Sequence, residues 1–138
     1  MKELVELEKE AIEKNIPIMQ KAGLAFMVDI FKQYNCSNCL EIGSAIGYSA
    51  LMLVTNIDDF KVETIELDQQ RYLEAVKNIN DYGMNDKIII HHDDALTLDI
   101  NQLVLKKYDC LFIDAAKAQY QKFFEKYMPL VNDNGVCV

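Results

Sequence analysis

A chain of 138 residues, 51% apolar and 26% charged, has the make-up of one ordinary soluble domain with a real core. No apolar run is long enough to cross a bilayer, and the N-terminus, Met1-Lys2-Glu3-Leu4-Val5-Glu6, is mixed and charged rather than a signal peptide, so a cytoplasmic protein without a membrane partner is expected. The net charge of −8 argues against a general nucleic-acid binder, because phosphate contacts need Lys and Arg, although Lys106, Lys107, Lys117, Lys122 and Lys126 fall late in the chain and are able to form a local basic face.

Residues 2–14 read as a charged helix, with Leu4, Leu7, Ala11 and Ile12 at helical spacing. Asn15 reads as a cap and Pro17 as the first turn of a second helix, which carries Met19, Ala22, Phe26, Met27 and Ile30 and frays near Tyr34. The pattern then alternates. A strand over 39–42 leads into a helix over 46–55. A strand over 61–66 leads into a helix over 69–82, with Asp68 as N-cap and Gly83 as C-terminal stop. Ile88-Ile89-Ile90 reads as a buried strand and 98–104 as a short helix. Residues 109–113 form another strand, followed by a helix over 118–127 that Pro129 ends. Asn132-Asp133-Asn134-Gly135 reads as a turn, and Val136-Cys137-Val138 begins a fifth strand.

Strand–helix alternation implies a parallel α/β sheet with right-handed crossovers and helices on both faces. The chain divides into residues 1–35, helices bordering the site, and 36–138, the ligand-binding core. A last strand of three residues is short for a finished domain, so the chain is expected to be a fragment or a trimmed form, with an open strand edge able to pair with a second copy. Cys36-Ser37-Asn38-Cys39 has redox or zinc spacing, but no second pair accompanies it. Cys39, Cys110 and Cys137 sit in apolar strand patterns and read as structural thiols.

The candidate site begins at Glu41-Ile42-Gly43-Ser44-Ala45-Ile46-Gly47-Tyr48-Ser49, two glycines at a strand-to-helix turn. A side chain at Gly43 or Gly47 is expected to occupy ligand space or strain the turn. The turn's N–H groups and Ser49 would meet the carboxylate of an adenosyl ligand's methionine tail. Glu66, at the end of the next strand, would accept from the two ribose hydroxyls, whereas Glu63 faces the other way and reads as solvated. Asp94 is placed to accept from an adenine amino group. His91 and His92 are neighbours in extended chain and point apart, which disfavours a shared metal. Asp114 closes an apolar strand and is able to hold a divalent ion. Lys117, three residues on, would act as a base if a dry pocket lowered its pKa; the bland alternative is a helix cap and a surface lysine. Phe123, Phe124 and Tyr127 read as core, and Tyr120 as a candidate for the substrate mouth.

With these residues in view, the chain resembles the cation-dependent O-methyltransferases that use S-adenosylmethionine, the group of the catechol and caffeoyl-CoA enzymes, over residues 17–138. Within that group it is most similar to the bacterial tRNA 5-hydroxyuridine methyltransferases, through Ile16-Pro17-Ile18-Met19, Ser44-Ala45-Ile46-Gly47-Tyr48-Ser49, Phe112-Ile113-Asp114-Ala115-Ala116-Lys117, Gln119-Tyr120-Gln121 and Phe123-Phe124. The resemblance implies a Rossmann-like class I methyltransferase fold with its C-terminal strands missing. It implies cofactor contacts at Gly43, Ser49, Glu66 and Asp94, and an early helix bearing Met19 and Gly23 beside the cofactor pocket. It further implies Asp114 as a ligand of Mg²⁺ or a similar ion, Lys117 as the base or hydroxyl-orienting group, and methyl transfer to a wobble uridine of tRNA. The family's Asp-Asn pair after the fifth strand falls beyond Val138, so this chain alone is expected to be inactive. A second acid common in the family at the position of Ala116 is absent, as it is in the tRNA group. Two other readings stand beside this one: the same chemistry on a small catechol-like diol, which suits the acidic charge, and a nucleotide-binding module without catalysis.

Overall fold

A parallel sheet with apolar side chains on both faces organises the molecule. The computed structural model describes residues 1–114 and 117–138; Ala115, Ala116 and the side chain of Lys117 lie outside the described residues. The elements are α1 (Val5–Glu13), α2 (Lys21–Gln33), β1 (Asn38–Ile42), α3 (Tyr48–Asn56), β2 (Lys61–Glu66), α4 (Gln69–Asp81), β3 (Ile88–His92), β4 (Tyr108–Ile113), α5 (Lys117–Tyr127) and β5 (Val131–Cys137). Strand order is β3-β2-β1-β4-β5, all parallel.

Side-chain alternation along each strand explains the layering. Cys39, Val62 and Cys110 enter one core with Leu7, Leu24, Phe31, Leu51 and Ile79, from α1 to α4. Leu40, Ile42, Ile65, Leu111 and Ile113 enter the opposite core with Phe123 and Tyr127 of α5. The chain winds outward from β1 to β3 and then returns to place β4 on the other side of β1. That reversal opens a crevice at the carboxyl ends of β1 and β4, where ligands bind in such sheets.

Several boundaries differ from the sequence reading. The second helix begins at Lys21, not at Pro17, because Ile16, Ile18 and Met19 pack against the core as a strap ahead of it. Asn15 has φ 53 and ends α1 in the left-handed region rather than opening a helix. The expected short helix over 98–104 is one 3₁₀ turn, Ile100–Gln102. Asn132, Asp133, Asn134 and Gly135 lie inside β5 but leave its ladder: the register jumps from Tyr108↔Val131 to Cys110↔Val136, and Asn132 donates to Asp109 Oδ1 (2.7 Å). Asp68 caps α4 as expected, accepting from Arg71 N (2.9 Å), and Gly83 follows with φ 68. Cys36, Cys39 and Cys110 are buried free thiols, and burial foremost pushes Cys36 above the ordinary thiol range. No helix among the described residues is long and apolar enough to cross a membrane.

Candidate active site

The turn after β1 is shaped by the chain itself. Asp114 N donates to Ile42 O (2.9 Å) and Gly43 N to Ile65 O (2.9 Å), so the ends of β1, β2 and β4 are drawn together. At Gly43, φ is +95°, and an added Cβ would stand 2.3 Å from the Asp114 carbonyl oxygen. Of the two expected reasons for glycine, strain in the turn holds, while the excluded space at Gly43 belongs to the Asp114 backbone rather than to a ligand. Gly47 (φ +84°) is the N-cap of α3, and a Cβ there would only touch Ala75 at 3.5 Å, so backbone conformation rather than space favours glycine.

Above this turn lies a cleft of about 310 Å³, lined by Pro17, Ile42, Gly43, Ala45, Ile65, Glu66, Leu67, Arg71, Asp93, Asp94, Ala95, Asp114, Gln119 and Phe123. The sequence-predicted residues Gly43, Glu66, Asp94 and Asp114 meet here. Ser49 and Met19 are not among its lining residues: Ser49 is buried in the first turn of α3, and Met19 precedes α2 instead of belonging to it. Met19 lies in the strap that carries Pro17, and its Cε stands 2.9 Å from where a Gly23 Cβ would be. The backbone of Lys117 opens α5 three residues beyond Asp114; its side chain is outside the described residues.

Glu66 is held in one orientation. Its Oε1 accepts from Ala45 N (2.7 Å) and its Oε2 from Asp68 N (3.0 Å), which leaves each oxygen a second lone pair for a ligand hydroxyl. Asp94 accepts from Leu96 N at Oδ1 (2.9 Å), so Oδ2 is the atom left for a ligand donor. Desolvation raises the Asp114 carboxyl above the usual range. Among the described residues no three His, Cys, Asp or Glu side chains gather into a cation site, so Asp114 stands as one prospective ligand without a set.

The burial of two glutamates was not legible in the sequence, where Glu41 reads only as the acid before the glycine turn and Glu63 as solvated. Glu41 on β1 and Glu63 on β2 are both fully buried, on opposite faces. Glu41 Oε1 accepts from Thr64 Oγ1 (2.8 Å), which in turn contacts Ser44 Oγ (2.6 Å); Oε2 has no partner among the described residues. Burial first, then the carboxylates of Asp114 and Glu66, push its carboxyl up to about 8 against the Thr64 hydrogen bond. Glu63, expected to be solvated, instead accepts from Val104 N (2.8 Å), Leu105 N (3.0 Å) and Tyr108 OH, and pairs with His91 Nε2 (2.6 Å). Burial opposes its ionisation, but those bonds outweigh burial and hold the carboxyl at about 2. His92 turns the other way and stacks on Tyr72 with ring centroids 4.9 Å apart. Tyr120 stacks on Phe124 at 6.4 Å, while Gln119 and Phe123 of the same helix line the cleft. Three of the lysines expected on a basic face have partners within the chain. Lys106 and Lys107 donate to Asn101 O and Pro129 O beside the start of β4, and Lys126 turns inward to a loop.

With this geometry in place, comparisons with known proteins converge. A family model described as O-methyltransferase matches residues 1–138. A solved structure from Staphylococcus aureus, assigned as a caffeoyl-CoA O-methyltransferase, superposes with a TM-score of 0.89 at 36% identity, covering 98% of this chain and 65% of that one. An O-methyltransferase from Bacillus cereus in complex with SAH superposes with a TM-score of 0.82 at 25% identity, covering 96% of this chain and 63% of that one. The caffeoyl-CoA O-methyltransferase of Stellaria longipes is 30% identical over 82% of this chain and 48% of its own length. The chain spans about half the length of the curated relatives it matches. By the match along its full length and by its Rossmann-like sheet, the chain belongs to the O-methyltransferase family.

Proposed function

We propose that this protein is an S-adenosylmethionine-dependent O-methyltransferase whose acceptor is the 5-hydroxyl of a wobble uridine in tRNA. The observation that carries the cofactor assignment is Glu66. Its two oxygens are fixed by Ala45 N and Asp68 N at the cleft floor, with one lone pair each left over for vicinal hydroxyls. Asp94 offers Oδ2 to an adenine amino group, and Phe123 supplies an apolar wall. When bound, S-adenosylmethionine supplies an electrophilic methyl on its sulfonium.

The chain's own contribution is orientation. Glu66 and the turn hold one end of the cleft, and Asp114 sits near the start of α5 with a carboxyl whose desolvation favours a proton or a cation beside it. Lys117 remains the proposed base for the acceptor hydroxyl. A Mg²⁺ ion at Asp114 is part of the family reading, and it would orient and acidify the acceptor hydroxyl there, but no three His, Cys, Asp or Glu side chains gather to hold it among the described residues.

The tRNA acceptor is supported by the motifs around Pro17, Gly47 and Asp114 and by Arg71, the only arginine of the chain, at the mouth of the cleft. A small catechol-like diol is the second reading, favoured by the net charge of −8 and by the dispersal of Lys106, Lys107 and Lys126. The test is methyl-labelled S-adenosylmethionine with the full-length protein and tRNA from cells lacking wobble-hydroxyuridine methylation, with and without EDTA. EDTA-sensitive label in tRNA is expected. Label that EDTA leaves intact removes the ion, and label only in added catechols moves the assignment to small diols.

A further inference from the structure

Lys126 turns its ammonium inward to the loop after β3. Its ammonium donates to three carbonyls of one loop: Ala95 O (2.9 Å), Leu96 O (3.1 Å) and Leu98 O (2.6 Å). The adjacent Tyr127 hydroxyl donates to Ala95 O as well. An ammonium has three protons, so this one loop takes all of them.

The loop follows β3 and is otherwise a single closed turn. Leu96 N donates to Asp94 Oδ1 (2.9 Å), and Thr97 N and Leu98 N both donate to Asp94 O (3.0 and 2.8 Å). Asp94 thus caps the turn at its amino end, as a helix N-cap does. Its carboxyl-end carbonyls find no other backbone partner among the described residues, and Lys126 closes them, as a lysine does at a helix C-terminus. Asp93, Asp94 and Ala95 of this turn line the cleft. On α5, Gln119 and Phe123 face the same cleft, and one turn further on Lys126 and Tyr127 grip the loop.

We infer that Lys126 is a positioning residue for the cofactor: by closing the turn of residues 94–98 from α5, it holds Asp94 where its free Oδ2 meets the adenine amino group. This rests on the cofactor assignment above. Lys126 touches no ligand itself, so its loss acts on cofactor affinity through Asp94 and spares the chemical step.

The test measures binding of S-adenosylhomocysteine and of S-inosylhomocysteine, which carries an oxo group in place of the 6-amino group, to the full-length protein by calorimetry. The wild type is expected to prefer the adenine ligand. Lys126→Met should weaken S-adenosylhomocysteine by about tenfold, the scale of one charge-assisted hydrogen bond, and leave S-inosylhomocysteine unchanged. Tyr127→Phe, which removes one hydroxyl and keeps the buried ring, should move affinity the same way by less, and it serves where Lys126→Met does not fold. Equal weakening of both ligands would show Lys126 to be a general support of the fold and overturn the inference, as would unchanged affinity for both. A wild type that binds neither ligand would sink the cofactor assignment itself. A wild type that binds both equally would leave that assignment standing and remove Asp94 as the reader of the amino group, and Lys126 with it.

Discussion

Glu41 and Glu63 are buried carboxyls on neighbouring strands, and they have opposite fates. Glu63 receives two backbone N–H groups, a tyrosine hydroxyl and a histidine, and its carboxyl is held at about 2. Glu41 receives one threonine hydroxyl, lies near the carboxylates of Asp114 and Glu66, and is pushed up to about 8. Both side chains are closed to solvent, but Glu41 is the more deeply desolvated, lies beside two carboxylates and has one donor, whereas four donors outweigh the burial of Glu63. Glu63 therefore fastens the loop over 103–105 and β4 to β2. Glu41 stands as a largely neutral acid under the cleft, where a fixed negative charge would add to those already present.

The largest expected effect breaks the satisfied side. Glu63→Ala leaves the Val104 and Leu105 N–H groups and the Tyr108 hydroxyl without their acceptor, and should cost about 4 kcal/mol in urea denaturation. An unchanged midpoint would mean that the network contributes nothing.

The unsatisfied side is sharpened by pH. Because the folded Glu41 carboxyl lies near 8, above its ordinary 4.5, the stability tied to its neutral form is full below 4.5 and is lost as pH rises through 8. Glu41→Gln should flatten that decline and be more stable than the wild type above pH 8, by on the order of 2–3 kcal/mol. For Glu63 the sign reverses: its contribution is full above 4.5 and is lost as pH falls toward 2, so Glu63→Gln should flatten the acid limb instead. Parallel pH–stability curves for wild type and both variants would refute the contrast.

Smaller effects follow nearby. Gly43→Ala, in the turn two residues beyond Glu41, meets both the Asp114 carbonyl and a φ of +95°, and should cost about 2 kcal/mol in the same denaturation. Tyr108→Phe removes one donor from Glu63 and should cost about 1 kcal/mol while raising the acid midpoint slightly. If Tyr108→Phe costs as much as Glu63→Ala, the hydroxyl rather than the carboxyl organises the network.

The two glutamates also mark how far the sequence could be read. Period-two and period-3.6 patterns were enough for the alternating strands and helices, and Asp68 and Gly83 marked the ends of α4 by their chemistry. The place of Glu66 and Asp94 at the cleft was legible because Glu66 ends β2 and Asp94 follows β3 by two residues, both on the carboxyl-end side of a parallel sheet. Glu63 was misread because its partners at positions 91, 104, 105 and 108 lie 28 to 45 residues away, and no local spacing announces them. The start of α2 was misread because Pro17 suits a first helical turn, while tertiary packing of Ile16, Ile18 and Met19 keeps the strap extended. The reason for Gly43 was half legible: the need for glycine was clear, but the approach of the β4 backbone appears only once the strand order is known.

The most direct test of the account is calorimetric titration of the full-length protein and its Glu66→Ala variant with S-adenosylhomocysteine, with melting temperatures measured alongside. In the proposed assignment Glu66 offers one remaining lone pair on each oxygen to the ligand, so the variant should bind at least about tenfold more weakly while still melting cooperatively. Equal affinity in a folded variant would contradict the assignment of Glu66 and of the cleft above Gly43 as the cofactor site.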